Sequence, residues 1–180
     1  MDYMSHFLED AVFSFTNLKG LADRAIAQVD DQAFFRTLDA ETNSIATVVK
    51  HVAGNMKSRW TDPFTSDGEK PDRDRDGEFE LGTADTRDAL MERWQSGWWT
   101  VFGALSAVQP TDYTRPLFIR GEQHSLIQAV NRQVSHYAFH VGQIVLLARH
   151  HAGDKWQTLS IERGASRSYD KPFRTVADDG

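Results

Sequence analysis

Apolar residues return at three- and four-residue intervals in four separate stretches, the period of helices that each bury one face. The first stretch runs from about Tyr3 to Val29 and carries Phe7, Ala11, Phe15, Leu18, Ala22, Ile26 and Val29, with Asp30-Asp31 closing it. The second opens at Thr42-Asn43-Ser44, whose side-chain oxygens suit a helix N-cap. It carries Ile45, Val48, Val49, Val52 and Met56 to about Trp60, and Pro63 follows. The third starts at a capping residue, Thr83 or Asp85, and sets Leu90, Met91, Trp94, Trp98, Val101, Leu105 and Val108 on one side before Pro110 stops it. The fourth spans about Ser125 to His151, with Ile127, Val130, Val134, Tyr137 or Ala138, Val141, Ile144, Val145 and Ala148 as its core row. Gly153 stands at its C-cap position, and His150 and His151 complement the negative end of the helix dipole.

Four amphipathic helices of this length predict an all-α fold, a four-helix bundle. Between the second and third, residues 61–81 are polar, lack a helical period and contain Pro63, Gly68, Pro71 and Gly77. A twenty-residue helix is about 30 Å long. Twenty-odd extended residues at roughly 3.3 Å each span that distance. A long crossover between helices 2 and 3 is therefore expected, allowing the two to run parallel. A second irregular stretch, with Pro116 and Gly121, precedes the last helix. Residues 1–180 read as one domain, with a polar C-terminal tail from about residue 154 that Trp156, Leu159 and Ile161 dock.

A net charge of -6 argues against a general nucleic-acid binder, which needs a basic face, and leaves room for a local basic patch. No apolar run is long enough to span a bilayer. The stretch Met1 to His6 has no basic region ahead of an apolar core, so no secretion signal is read and a cytoplasmic location is expected. The absence of cysteine removes disulfides, iron–sulfur clusters and thiolate nucleophiles. Any metal would take nitrogen and oxygen ligands.

His136 and His140 lie four residues apart in the last helix, nearly on one face and one turn from each other. They border the apolar stripe, in a row with Gln133, Gln143 and Leu147. His51 borders the stripe of the second helix beside Val48 and Asn55. Two readings stay open on the residues alone: partly buried histidines bonded to backbone or water, or three ligands of one metal. His6, His124, His150 and His151 show no ligand spacing and read as surface or capping residues. Asp72-Arg73-Asp74-Arg75-Asp76-Gly77 imitates the start of a calcium loop, but Thr83 stands where the bidentate glutamate belongs, so the segment reads as a solvated charged loop. Trp94, Trp98 and Trp99 read as core and interface aromatics. No nucleophile elbow, phosphate-binding glycine loop or H-E-x-x-H motif is present.

The combination His136, His140, Gly142 and Gln143 on the last helix with His51 midway along the second resembles the DinB-like superfamily of metal-binding four-helix bundles. Its relatives include metal-dependent hydrolases of the YfiT type and thiol-dependent transferases and isomerases. The nearest likeness is to a DinB-like branch of unknown function. The likeness extends through Glu41 to Ile45, Arg59 to Asp62, Asp67 to Pro71, and Trp156 to Ile161 followed by Arg163-Gly164; Glu162 departs from the proline usual there. The resemblance implies a divalent transition metal, zinc or nickel with iron as a further option, held by His51, His136 and His140 with coordination positions left open. Such a metal lowers the pKa of a bound water to about 7, or activates an external low-molecular-weight thiol. Asn55 and Gln143 are candidates to orient a ligand or support the histidines. The general acid or base is unassigned. The expected partner is a small-molecule substrate, with neither nucleic acid nor membrane, and the aromatic supply of helix 3 is compatible with a homodimer. The rival reading is a non-catalytic metal-binding or stress-associated protein.

Overall fold

Each of the four periodic stretches forms a long helix in the computed structural model, which describes residues 2–170. Met1 and residues 171–180 of the expected polar tail lie outside the described residues. The long helices are α1 (Tyr3–Ile26), α3 (Ile45–Trp60), α4 (Arg87–Ser106) and α5 (Leu126–Ala152), with a short α2 (Asp31–Phe35) between the first two. The fold is an all-α bundle with a long crossover between α3 and α4.

Side-chain contacts fix the helix directions. Lys50 meets Asp85 just ahead of α4, and further along both helices Met56 packs on Gly97, so α3 and α4 run parallel. Phe15 packs on Tyr137, and beyond both helix ends Gln28 pairs with Gln157, so α1 and α5 also run parallel. Arg87 donates to the carbonyls of Ile26 and Val29, while Trp94 donates to Asp23, so the two pairs oppose each other. At the centre, each long helix contributes one ring: Phe15, Trp60, Trp98 and Tyr137. Phe15 lies 5.6–6.2 Å from the other three ring centroids, and the Trp60 indole N–H donates to the Tyr137 hydroxyl at 3.1 Å. Edge-to-face pairs of this kind contribute about 0.5–1.5 kcal/mol each beyond their burial. They lock the register of α3 against α5, and that register places the histidines.

Several boundaries differ from the expected ones. The first helix ends at Ile26, because Asp30 caps the separate turn α2 by accepting from the Ala33 N–H. Thr86 caps α4; Thr83 does not, and the Asp85 carboxylate instead takes Lys50, Arg93 and the Gly82 N–H. The buried face of α5 is rotated from the expected row: Leu126, Ala129, Gln133 and Leu147 are inside, and Ile127 is exposed. Trp94 and Trp98 are core residues, whereas Trp99 is 79% exposed.

The second irregular stretch holds a β-hairpin, β1 (Leu117–Ile119) against β2 (Glu122–His124). Its turn residues Arg120 and Gly121 both have positive φ, +57° and +74°, as a two-residue turn matching the strand twist requires. The Asp67 carboxylate accepts from both turn N–H groups, and the Gly68 N–H donates to the Phe118 carbonyl. The hairpin is thereby tied to the crossover, which folds back along α3. Ser58 donates to the Gly68 carbonyl and accepts from the Lys70 N–H. Among the described residues, no helix is long and apolar enough to cross a membrane.

Candidate metal centre

The antiparallel packing of α3 on α5 brings His51 against His136 and His140. One ring nitrogen of each lies within 4.8 Å of the other two. The ring centroids are separated by 5.5, 4.9 and 4.6 Å. His51 is buried, and the other two are half-buried.

Hydrogen bonds orient two of the three rings. His51 Nδ1–H donates to Glu78 Oε2 at 2.8 Å. A carboxylate can only accept, so this bond fixes the tautomer and leaves Nε2 of His51 with a free lone pair. His140 Nδ1–H donates to Gln143 Oε1 at 2.9 Å, leaving its Nε2 in the same condition. The Nε2 atoms of His136 and His140 then face each other at 3.2 Å. With its proton on Nδ1, His136 opposes lone pair to lone pair. With the proton on Nε2, its Nδ1 becomes a buried acceptor with no partner among the described residues. A cation between the facing nitrogens removes the repulsion. Two nitrogens bound tetrahedrally at 2.0–2.1 Å are about 3.3 Å apart, close to the separation here. The donor set and its spacing fit a divalent transition metal.

The electrostatics keep His136 and His140 neutral. Burial pushes the His136 pKa down to about 3, and the neighbouring His140 and His51 act in the same direction. His140 is also lowered by burial, against the opposing hydrogen bond to Gln143. An imidazole must be unprotonated to bind a metal, so both are ready at neutral pH.

The residue that sequence reasoning missed is Glu78, from a one-turn 3-10 helix (Gly77–Phe79) in the crossover. Besides accepting from His51, its carboxylate takes Arg73 at both oxygens, 2.7 Å each. Arg73 reaches on to Glu69, which also pairs with Arg59 and Arg120. Burial pushes the Glu78 pKa up, but the bonds from His51 and Arg73 outweigh it and the net shift is downward. Gly54 makes room for this carboxylate: a Cβ there would lie 2.8 Å from Glu78 Cδ and closer still to Oε1. A glycine in a helix interior costs about 1 kcal/mol against alanine, and that was the sequence signal for a close approach. Phe79 covers one face of the His51 ring, centroids 4.6 Å apart.

Of the two candidate supporting residues, Gln143 bonds to His140, while Asn55 bonds to none of the three histidines and lines a cavity beside them. The loop read as solvated is so for Asp72, Asp74 and Asp76, but the Arg73 side chain is only 5% exposed. His124 and His151 bond to the carbonyls of Glu122 and Arg36, and neither joins the cluster. No curated protein and no solved structure matches the chain. The family model described as "Protein of unknown function (DUF1572)" matches residues 2–165, and the chain belongs to that family.

Proposed function

We propose that this protein is a metal-dependent enzyme of the hydrolase or thiol-transferase kind, in which His51, His136 and His140 hold a divalent transition metal, zinc or nickel before iron. The observation that carries the reading is the facing pair of Nε2 atoms at 3.2 Å, with Nε2 of His51 freed beside them by Glu78. A divalent metal bound there supplies Lewis acidity at the coordination positions the chain leaves open. Glu78 and Gln143 keep the protons of His51 and His140 on Nδ1 and aim the opposite nitrogens inward. Burial keeps His136 and His140 unprotonated.

Catalysis is preferred to a closed structural site because the cluster among the described residues has three ligands and a cavity of about 240 Å³ adjoins His51 and His136. With no cysteine in the chain, a thiol would come from outside as a co-substrate. The DinB-like resemblance supports the same reading and extends it to a single-domain, cytoplasmic protein. A homodimer through the exposed Trp99 of α4 completes it.

The test is elemental analysis of untagged protein beside His51→Ala and His136→Ala. About one metal per chain in the wild type and loss in both variants is expected; equal content in all three refutes the ligand set. The loaded protein is then screened on ester and amide substrates and on electrophiles, with and without low-molecular-weight thiols. Absence of turnover across the screen would move the non-catalytic metal-binding reading ahead.

A further inference from the structure

Within a chain of net charge -6, the cavity beside the histidines is strongly basic. It is lined by Arg59, Arg73, Arg75, Arg120 and Arg132, together with Asn55, Gln133, His51 and His136. Among the described residues, the ion pairs of these arginines go to Glu69 and Glu78 only. Five guanidinium groups against two carboxylates leave an excess of three positive charges around one recess. Arg75 and Arg132 are exposed and have no ion pair among the described residues.

The floor of the recess carries unmet hydrogen-bonding capacity. Asn55 is 5% exposed and Gln133 is 2% exposed, yet the side-chain oxygen of each is buried with no partner, and so is Nε of Arg59. Leaving a buried polar group unpaired is unfavourable, and three around one cavity point to a polar occupant. The volume, about 240 Å³, equals that of roughly eight water molecules, the scale of a small metabolite and too small for a polymer.

We propose that this recess binds a small molecule bearing an oxyanion, a carboxylate or phosphate, and holds it against the wall formed by His51 and His136. This names the substrate class for the metal site above and rests on that reading. Guanidinium forks match both oxyanions in a bidentate manner, so the shared chemistry is recognition of a planar or tetrahedral oxyanion. Arg75 and Arg132 supply the free charge at the mouth; Arg59, Asn55 and Gln133 supply the buried polar atoms. The placement sets the anionic substrate's neighbouring group beside the histidine ligands.

The experiment is calorimetric titration of the metal-loaded protein at low chloride with inorganic phosphate, with succinate and with neutral glycerol, each set read beside metal content. The same titrations are run on the double variant Arg75→Ala/Arg132→Ala and on the remote control Arg163→Ala. Both altered cavity positions are exposed, so the variant keeps its fold, and circular dichroism checks this. Phosphate or succinate should bind and glycerol should not; the double variant should lose about tenfold or more in affinity, with metal content and the control unchanged. The anion with the greater loss identifies the oxyanion class. Equal binding by wild type and double variant, or binding of neither anion by the loaded protein, overturns the proposal. Arginine-dependent binding in a protein that takes up no metal supports the anion recess and overturns the metal centre instead.

Discussion

Substituting Glu78→Gln probes the support of the proposed metal centre with little change of shape. Glutamine keeps the length and one acceptor oxygen but loses the charge that both fixes the His51 tautomer and pairs with Arg73. Loss of such an outer partner typically weakens metal binding 10- to 100-fold, about 1.4–2.8 kcal/mol. Stability falls as well. Both side chains of the Glu78–Arg73 pair are less than one-tenth exposed, and breaking a buried pair costs about 3–5 kcal/mol. The retained Glu69 contact to Arg73 puts the expected loss at or below the lower end. The pH dependence has a definite sign. Because the Glu78 pKa is lowered in the fold, its contribution is full above the unfolded value near 4.5 and is lost as pH falls through the folded value. The stability gap between wild type and variant should therefore narrow below about pH 4.5.

The assay is competition for metal against a chromogenic chelator, with thermal unfolding run in parallel. An affinity within about threefold of wild type, with a lowered Tm, would show that Glu78 serves only the fold through Arg73. The same variant separates the metal centre from the basic recess. Removing the Glu78 charge raises the positive excess around the cavity and frees the Arg73 guanidinium, so phosphate or succinate should bind more tightly while metal binds more weakly. A parallel fall in both would mean general damage to the site.

Gly54→Ala should lower metal affinity and Tm although alanine alone favours a helix interior by up to about 1 kcal/mol, because its methyl group displaces Glu78 from His51. Combined with Glu78→Gln the two losses should not add, and a simple stability gain from Gly54→Ala would refute the contact. Tyr137→Phe leaves the buried Trp60 indole N–H without its acceptor and should cost about 1–3 kcal/mol, read as a lower Tm in thermal unfolding. Three ordinary imidazoles would release nearly three protons on metal binding at pH 5.5. With His136 held near pKa 3 and His140 lowered, potentiometric titration should find about two or fewer, and a value near three would contradict the lowered pKa of His136.

The helices were legible because each carries its burial in a long, repeated interval, and so were His51, His136 and His140, whose positions on two helix faces follow from that interval. The hairpin was not. Strands of three residues hold at most one alternation, too short to stand out from a loop. Glu78 was hidden for a different reason. The crossover from residue 61 to 86 has no period of its own, and its side chains are sorted by docking against α3 and the hairpin, with Asp72, Asp74 and Asp76 outward and Arg73 and Glu78 inward. Alternating charge in sequence therefore became a solvent face and a buried ion-pair chain. That sorting explains why the same segment borders both features of the site. Its buried carboxylate orients His51 in the three-histidine cluster, while its arginines line the recess beside it, so the long connection is a wall of the candidate site as well as a link between α3 and α4.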